Sequence, residues 1–422
     1  MSPADADPPD RLARRLTTGD AVVIGAGAMI GAGIFAALRP AAEAAGAGLL
    51  IGLGIAAVVA YCNAASSAQL AAVYPESGGT YVYAGRRLGR LWGYLAGWGF
   101  VVGKTASLAA MALTFGLYAA PDLGRPLAVA AVVGMTAVNY LGIRKTALAS
   151  RLILAVVLAS LAAVLAGALL GGEASPDNLG DLGEGGVAGI LRSGGLLFFA
   201  FAGYARIATL GEEVVTPQRT IPRAILVALT LVLALYGAVA VAALLAAGPD
   251  VLAGSPAPLA AAIEVGTLSW LLPAVRVGAA VASLGVLLSL LAGVSRTIFA
   301  MARNGELPKP LGAVHPRFGT PHRAELAVAL VVVAVVLLAD LRDAIGFSSF
   351  AVLVYYGLAN ASAWTQPPEQ RRWPRLVQIV GVLGCATLAF TLPATSVIAG
   401  AGVLVAGALV WALVLRTRST SR

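Results

Sequence analysis

Twelve apolar runs, each long enough to cross a bilayer, recur at 20–38, 47–72, 91–118, 125–143, 152–171, 187–210, 222–247, 271–302, 324–340, 344–364, 374–392 and 395–415. A spanning helix needs about 20 mainly apolar residues, so these runs occupy most of the 422 residues. With 59% hydrophobic and 12% charged residues, the chain has too little charge to cover a soluble domain of this length. Lipid offers a bare backbone no hydrogen-bond partner, so each run is expected to be a helix. The expected fold is an all-α polytopic membrane protein with 12 transmembrane helices.

The distribution of charge supports that layout. The net charge is +9, but the basic residues cluster in short gaps between apolar runs rather than on a surface suited to nucleic acid. If the N-terminus is cytoplasmic, the inner segments and adjoining helix ends hold 21 of the 29 lysines and arginines. The outer side then holds Arg39, Arg125, Arg192 and Arg342, and four more (Lys104, Arg206, Arg276 and Arg296) fall within runs. Cytoplasmic loops carry such an excess, and one missed helix would scramble it. A multi-pass protein of the cell (inner) membrane with both termini cytoplasmic is therefore expected. Residues 1–19 read as a cytoplasmic tail with no secretory signal, and 416–422 as a second tail. The loops at 172–186 and 248–270 read as solvated connections, too short to bury a core of their own. Cys62 and Cys385 lie in apolar runs without metal spacing and read as packing residues.

Two runs contain sequence that a spanning helix avoids. Gly25, Gly27, Gly31 and Gly33 fall within nine residues, each weakening a helix by up to about 1 kcal/mol relative to alanine. Such a cluster favours an interrupted helix facing protein or a cavity over simple small-residue packing. In the sixth run, Phe198, Phe199, Phe201 and Tyr204 alternate with small residues just before Arg206. These are the first helices of two consecutive five-helix units, 20–171 and 187–364, with 374–415 left as two accessory helices. Breaks at matching positions point to inverted repeats with a midplane site. A half-helix that starts after a break presents free amides, suited to a carboxylate. One that ends at a break presents carbonyls, suited to an ammonium. Together they suit a small zwitterion.

Four segments also carry a family resemblance. They are Gly27 to Phe35, Tyr74 to Tyr83, Gly211 to Pro222, and Arg296 to Pro308 with His315-Pro316. In this order they resemble the amino acid–polyamine–organocation (APC) superfamily of permeases, over nearly the whole chain. The resemblance implies the leucine-transporter-type 5+5 inverted repeat, alternating access and no cofactor. It implies carboxylate-binding backbone at Gly31, Ala32 and Gly33. It also implies ammonium-binding carbonyls at Met29, Phe199 and Ala202, with Phe199 as an aromatic gate. Departures from the family pattern are Ala32 where some relatives have serine, and Ala205-Arg206 where many have an acidic residue. No charged residue follows Arg151 before Glu173, where some proton-coupled relatives carry a lysine.

The candidate gate or coupling residues are Lys104, Tyr204, Arg206 and Arg296. A lysine midway along a span usually faces a cavity and serves function. Lys104 is open to three roles: a proton-coupling group, a charge that meets an anionic part of the solute, or a structural pin. Arg206 either pairs with Glu212 or Glu213 at a gate or reaches toward water, and Arg296 shares a face with Arg303. No acidic residue sits well inside a run, which favours a neutral or modestly polar amino acid. Proton symport through Lys104 is the preferred mode, with solute exchange as rival. Sodium remains open through Ser283, Ser289 and Ser295, although membrane serines commonly bond their own backbone. The competing readings are a polyamine, organocation or nucleobase carrier of the same fold, and a channel. No enzyme chemistry is visible, since His315 and His322 share one loop without further ligands.

Overall fold

The computed structural model describes residues 16–74, 78–142, 147–204, 207 and 214–419. Among these residues the structure is helical, and the only bridge of β type joins Leu16 to Val214. Helix α1 (Thr18–Met29) opens with a reciprocal cap. Thr17 Oγ1 accepts from the Asp20 amide at 3.2 Å, and the Asp20 carboxylate accepts from the Thr17 amide at 3.1 Å, satisfying donors the first turn leaves unpaired. The chain restarts as α2 (Gly33–Ala45), turns through Gly46–Gly48 and continues as α3 (Leu49–Val73). There follow α4 (Thr80–Arg87), α5 (Arg90–Ala119), α6 (Gly124–Tyr140), α7 (Ala147–Leu170) and α8 (Gly186–Phe201). The remainder comprises α9 (Pro217–Gly254), α10 (Pro258–Glu264), α11 (Leu272–Arg303), α12 (His322–Leu338), α13 (Leu341–Trp364), α14 (Arg375–Thr391) and α15 (Ala394–Ser419).

Seven helical stretches among the described residues are long and apolar enough to cross a membrane. They are Gly33–Val73, Arg90–Ala119, Leu148–Leu170, Pro217–Gly254, Ser269–Arg303, Leu341–Trp364 and Ala394–Leu413. The protein is thus a polytopic helical membrane protein. Helix α5 lies at the centre, packed against α11, α13, α6 and α12, while α2 and α3 both pack on α8.

The run at 20–38 is two helices with a break between them, where the glycine cluster leads one to expect it. The structure departs from the sequence layout in two places. Thr80–Arg87 forms a helix in a stretch read as a connection. The outer segment 248–270, read as solvated, instead contains α10 with Leu259, Ala260 and Ile263 buried. Asp250 and Glu264 marked that segment as polar, but the apolar side chains between them have enough area to hold a folded-back helix against its neighbours. Gly248 makes the bend possible: its φ of 74° and ψ of 167° suit only glycine.

A buried polar seam joins α3, α13 and α14. Asn360 donates to the Asn63 Oδ1 at 2.6 Å and accepts from Ser66 Oγ at 2.7 Å, and the Cys385 thiol donates to Asn63 at 3.2 Å. Gln69 and Gln366 pair at 2.7 Å. Without water to compete, such bonds pin one helix to another. Both cysteines are buried and free, as packing residues would be.

Candidate functional site

Helix α1 stops at Met29. Its last regular bond is Ile30 N–H to Ala26 O at 2.6 Å, after which the Gly31 amide turns back to Met29 O at 2.7 Å. Ile30 has ψ of 49°, outside the helical range, and α2 begins at Gly33. The interruption therefore covers residues 30–32. Amides in the first turn of α2 have no acceptor within that helix until Ala36 N–H reaches Ala32 O at 2.9 Å.

Helix α8 ends at Phe201, and residues 202–204 form a turn. The Ala202 amide bonds to Phe199 O at 3.4 Å and the Tyr204 amide to Phe201 O at 3.5 Å, both long contacts that mark an unwinding end. Continuation of this segment through Arg206 to Glu213, the region of the gate expectation for Arg206, lies outside the described residues apart from Ile207.

The two interruptions touch through bare backbone. A Cβ added to Gly33 would lie 2.7 Å from the Ala200 Cα, and one added to Gly203 would lie 2.6 Å from the Met29 amide nitrogen. Only glycine permits either approach. Gly31 presses on Val286 of α11, whereas a Cβ on Gly27 would meet no atom within 4 Å.

Side chains from other helices hold the carbonyls at both ends. The Tyr236 hydroxyl of α9 lies 2.5 Å from Met29 O and 3.3 Å from Ala200 O, bridging the two broken helices. Ala202 O accepts from Lys104 Nζ at 3.4 Å and from the Tyr356 hydroxyl at 3.2 Å. Lys104 is only 8% exposed, so this carbonyl is a specific partner rather than a passing surface contact. Tyr204 stacks on Tyr356 with ring centroids 4.9 Å apart, and Phe201 lies 5.4 Å from Tyr236. Phe199 is buried, with 7% exposure.

Of the residues singled out by sequence, Met29, Gly31, Ala32, Gly33, Phe199, Ala202, Lys104 and Tyr204 come together here, within or beside the two interruptions. Arg296 does not. It is exposed on α11, and its guanidinium acts electrostatically on Glu325, a buried carboxylate in the first turn of α12. Ser283, Ser289 and Ser295 each bond a carbonyl of their own helix, at 2.7, 2.9 and 3.2 Å. Ser107 bonds Ser348 at 2.6 Å rather than Lys104. Tyr236 and Tyr356 were missed by sequence reasoning. A lone phenol in an apolar run is a usable signal, because its hydroxyl must find a partner inside the protein.

Segments far apart in sequence also meet away from the breaks. Tyr81 donates to Glu306 Oε2 at 2.8 Å and accepts from Asn304 Nδ2 at 2.8 Å. Val215 N–H bonds Leu16 O at 3.0 Å at the entrance to α1. The first set of contacts joins the Tyr74 to Tyr83 motif to the Arg296 to Pro308 motif, and the second ties the Gly211 to Pro222 motif to the residues before α1. The family model described as amino acid permease matches residues 16–416, which takes in all four motifs. The chain belongs to the amino acid permease family, within the APC superfamily.

The relatives in this family are transporters. An uncharacterized transporter of Mycobacterium tuberculosis (strain H37Rv) is 61% identical over 402 residues, covering 95% of this chain and 91% of its own. The branched-chain amino acid permease BcaP of Bacillus subtilis is 26% identical over 339 residues, covering 74% of this chain and 72% of its own. The methylthioribose transporter of the same organism is 27% identical over 444 residues, covering 97% and 95%. This protein is accordingly a multi-pass membrane transporter, and its cargo is a small molecule.

Proposed function

We propose that this protein is a secondary transporter of a neutral or modestly polar L-amino acid, working by alternating access in the inner membrane. The observation that carries the reading is the meeting of two interrupted helices through Gly33–Ala200 and Gly203–Met29. One interruption offers amides at Ala32 and Gly33, and the other offers carbonyls at Phe199 and Ala202, with Met29 O beside them. A carboxylate suits the first and an ammonium the second. Twelve spans, arranged as 20–171, an inverted 187–364 and an accessory 374–415, would place both breaks at mid-membrane with the two termini in the cytoplasm. Phe199 would close over the solute, and Tyr204, Arg206 and Arg296 would belong to the gates. An ion gradient drives the cycle, with the proton preferred to sodium because the titratable Lys104 lies at the break.

A second reading has one observation in its favour: Lys104 already places an ammonium on Ala202 O, so a solute without an amine would find that role filled. Uptake into proteoliposomes tests both. Radiolabelled leucine, alanine, glutamine, lysine, putrescine and methylthioribose are each offered under an imposed pH or sodium gradient. The proposal expects saturable uptake of a neutral amino acid with exchange across the membrane. Uptake of methylthioribose or putrescine alone would overturn it, and non-saturating flux would favour a channel.

A further inference from the structure

Two of the three carbonyls offered to a solute ammonium at this site already have two donors each, while Phe199 O has the Ala202 amide. Met29 O accepts from the Gly31 amide and from Tyr236, and Ala202 O accepts from Lys104 and Tyr356. A carbonyl oxygen has two lone pairs, so an ammonium that takes either of these two oxygens must displace a donor. Three of the four donors are neutral. The fourth is Lys104, whose charge is of the same kind as the one arriving.

Two ammonium groups bound to one oxygen would stand about 4 Å apart, and at that separation their repulsion inside a protein weakens binding by about a thousandfold. Among the described residues no carboxylate pairs with Lys104 to relieve it. Ion pairs among the described residues are Arg39–Glu43, Arg151–Asp20, Arg276–Glu264 and Arg342–Glu43, none involving Lys104. The Tyr356 hydroxyl of α13 shares the Ala202 carbonyl with Lys104, and Tyr204 and Tyr355 pack against the Tyr356 ring. On the helices α2, α4, α6, α11, α12 and α13, which pack on α5, the charged and imidazole groups are Arg39 and Glu43 of α2, Arg86 and Arg87 of α4, Arg125 of α6, Arg276, Arg296 and Arg303 of α11, His322, Arg323 and Glu325 of α12, and Arg342 and Asp343 of α13. Among the described residues no ion pair joins any of them to Lys104.

We propose that the ammonium of Lys104 and the ammonium of the solute exclude one another at the Ala202 carbonyl, so that each solute bound releases one proton. This inference rests on the amino-acid reading above. When solute enters, a Lys104 Nζ–H bond breaks and the proton passes to water on the side to which the site is open. The neutral amine then accepts a hydrogen bond from the solute ammonium. When solute leaves on the opposite side, Nζ recovers a proton from that side. One turn of the cycle exchanges one zwitterion for one proton. The linkage is reciprocal: a proton on Lys104 weakens solute binding as much as solute weakens proton binding. Its sign is that of antiport and opposes symport through the same lysine.

The test is calorimetric titration of the purified protein with L-leucine, or whichever proteinogenic amino acid binds most tightly, in buffers of differing ionisation enthalpy. The expected result is release of close to one proton per solute, with binding tightening about tenfold per pH unit while Lys104 remains protonated. Lys104→Met, and Lys104→Gln should the first fold poorly, are expected to bind without proton release and without pH dependence. Proton uptake or no proton change in the wild-type protein overturns the proposal, as does release that survives in a folded variant. Failure of every amino acid to bind at any pH overturns the amino-acid reading itself, and is distinguished by the absence of any heat of binding.

Discussion

The two interrupted helices differ in how they are held open. The first stops and restarts within three residues, where Gly31 lies close against the Val286 side chain and Gly33 against the Ala200 backbone. The second unwinds at Ala202 between large aromatic side chains, and its carbonyls are held by hydroxyl and ammonium groups from α5, α9 and α13. In physical terms the first break exposes donors and is shaped by what its residues lack. The second exposes acceptors and depends on what distant helices supply. That difference teaches which substitutions each will tolerate: added volume should damage the first, and removal of a single polar atom should damage the second.

Substitutions that test this contrast are expected to fall in a definite order. Gly33→Val should have the largest effect. Its side chain would collide with the Ala200 backbone, where no flexible group can give way, and overpacking of this sort costs about 1–3 kcal/mol or more. Uptake should fall at least about a hundredfold at equal membrane expression. Near-normal uptake would show that the two breaks need not touch. Tyr236→Phe comes next. It strips the hydroxyl shared by Met29 O and Ala200 O, leaving buried carbonyls short of a donor at a cost of about 1–3 kcal/mol. A lower melting temperature in detergent and roughly tenfold slower uptake are expected.

Tyr356→Phe should do less, because Lys104 continues to serve Ala202 O. About 1 kcal/mol of stability and a few-fold loss of uptake are expected, and an effect as large as that of Tyr236→Phe would mean that the lysine contact is not made. Gly27→Ala should be the mildest. The added methyl meets nothing within 4 Å, so uptake should stay within about twofold of wild type, with any stability change at most about 1 kcal/mol and in the favourable direction. A severe defect at Gly27 would mean that the space beside α1 closes during the cycle.

Legibility in the sequence follows the same contrast. A break made by glycine is written locally, and the spacing of Gly25, Gly27, Gly31 and Gly33 marked it within a few residues. Phe198 to Arg206 read only as aromatics beside a charge, because Tyr236 and Tyr356, which hold that end, lie 36 and 154 residues from the carbonyls they serve. Lys104 stood out as a charge at membrane depth, yet its partner is a backbone atom, which no side-chain pattern reveals. The α10 helix was hidden for another reason: charged residues at its edges outweighed the apolar side chains between them. Helix positions needed only apolar length, so nearly all of the apolar runs reappear as helices.

The most direct measurement is a cryo-electron microscopy map of the protein with its tightest-binding amino acid at a pH where Lys104 is neutral. The account predicts solute density between the two interruptions, with its carboxylate about 2.7–3.2 Å from amides at the start of α2 and its ammonium on the Ala202 carbonyl. Solute held elsewhere, or held in the reverse orientation, would contradict it.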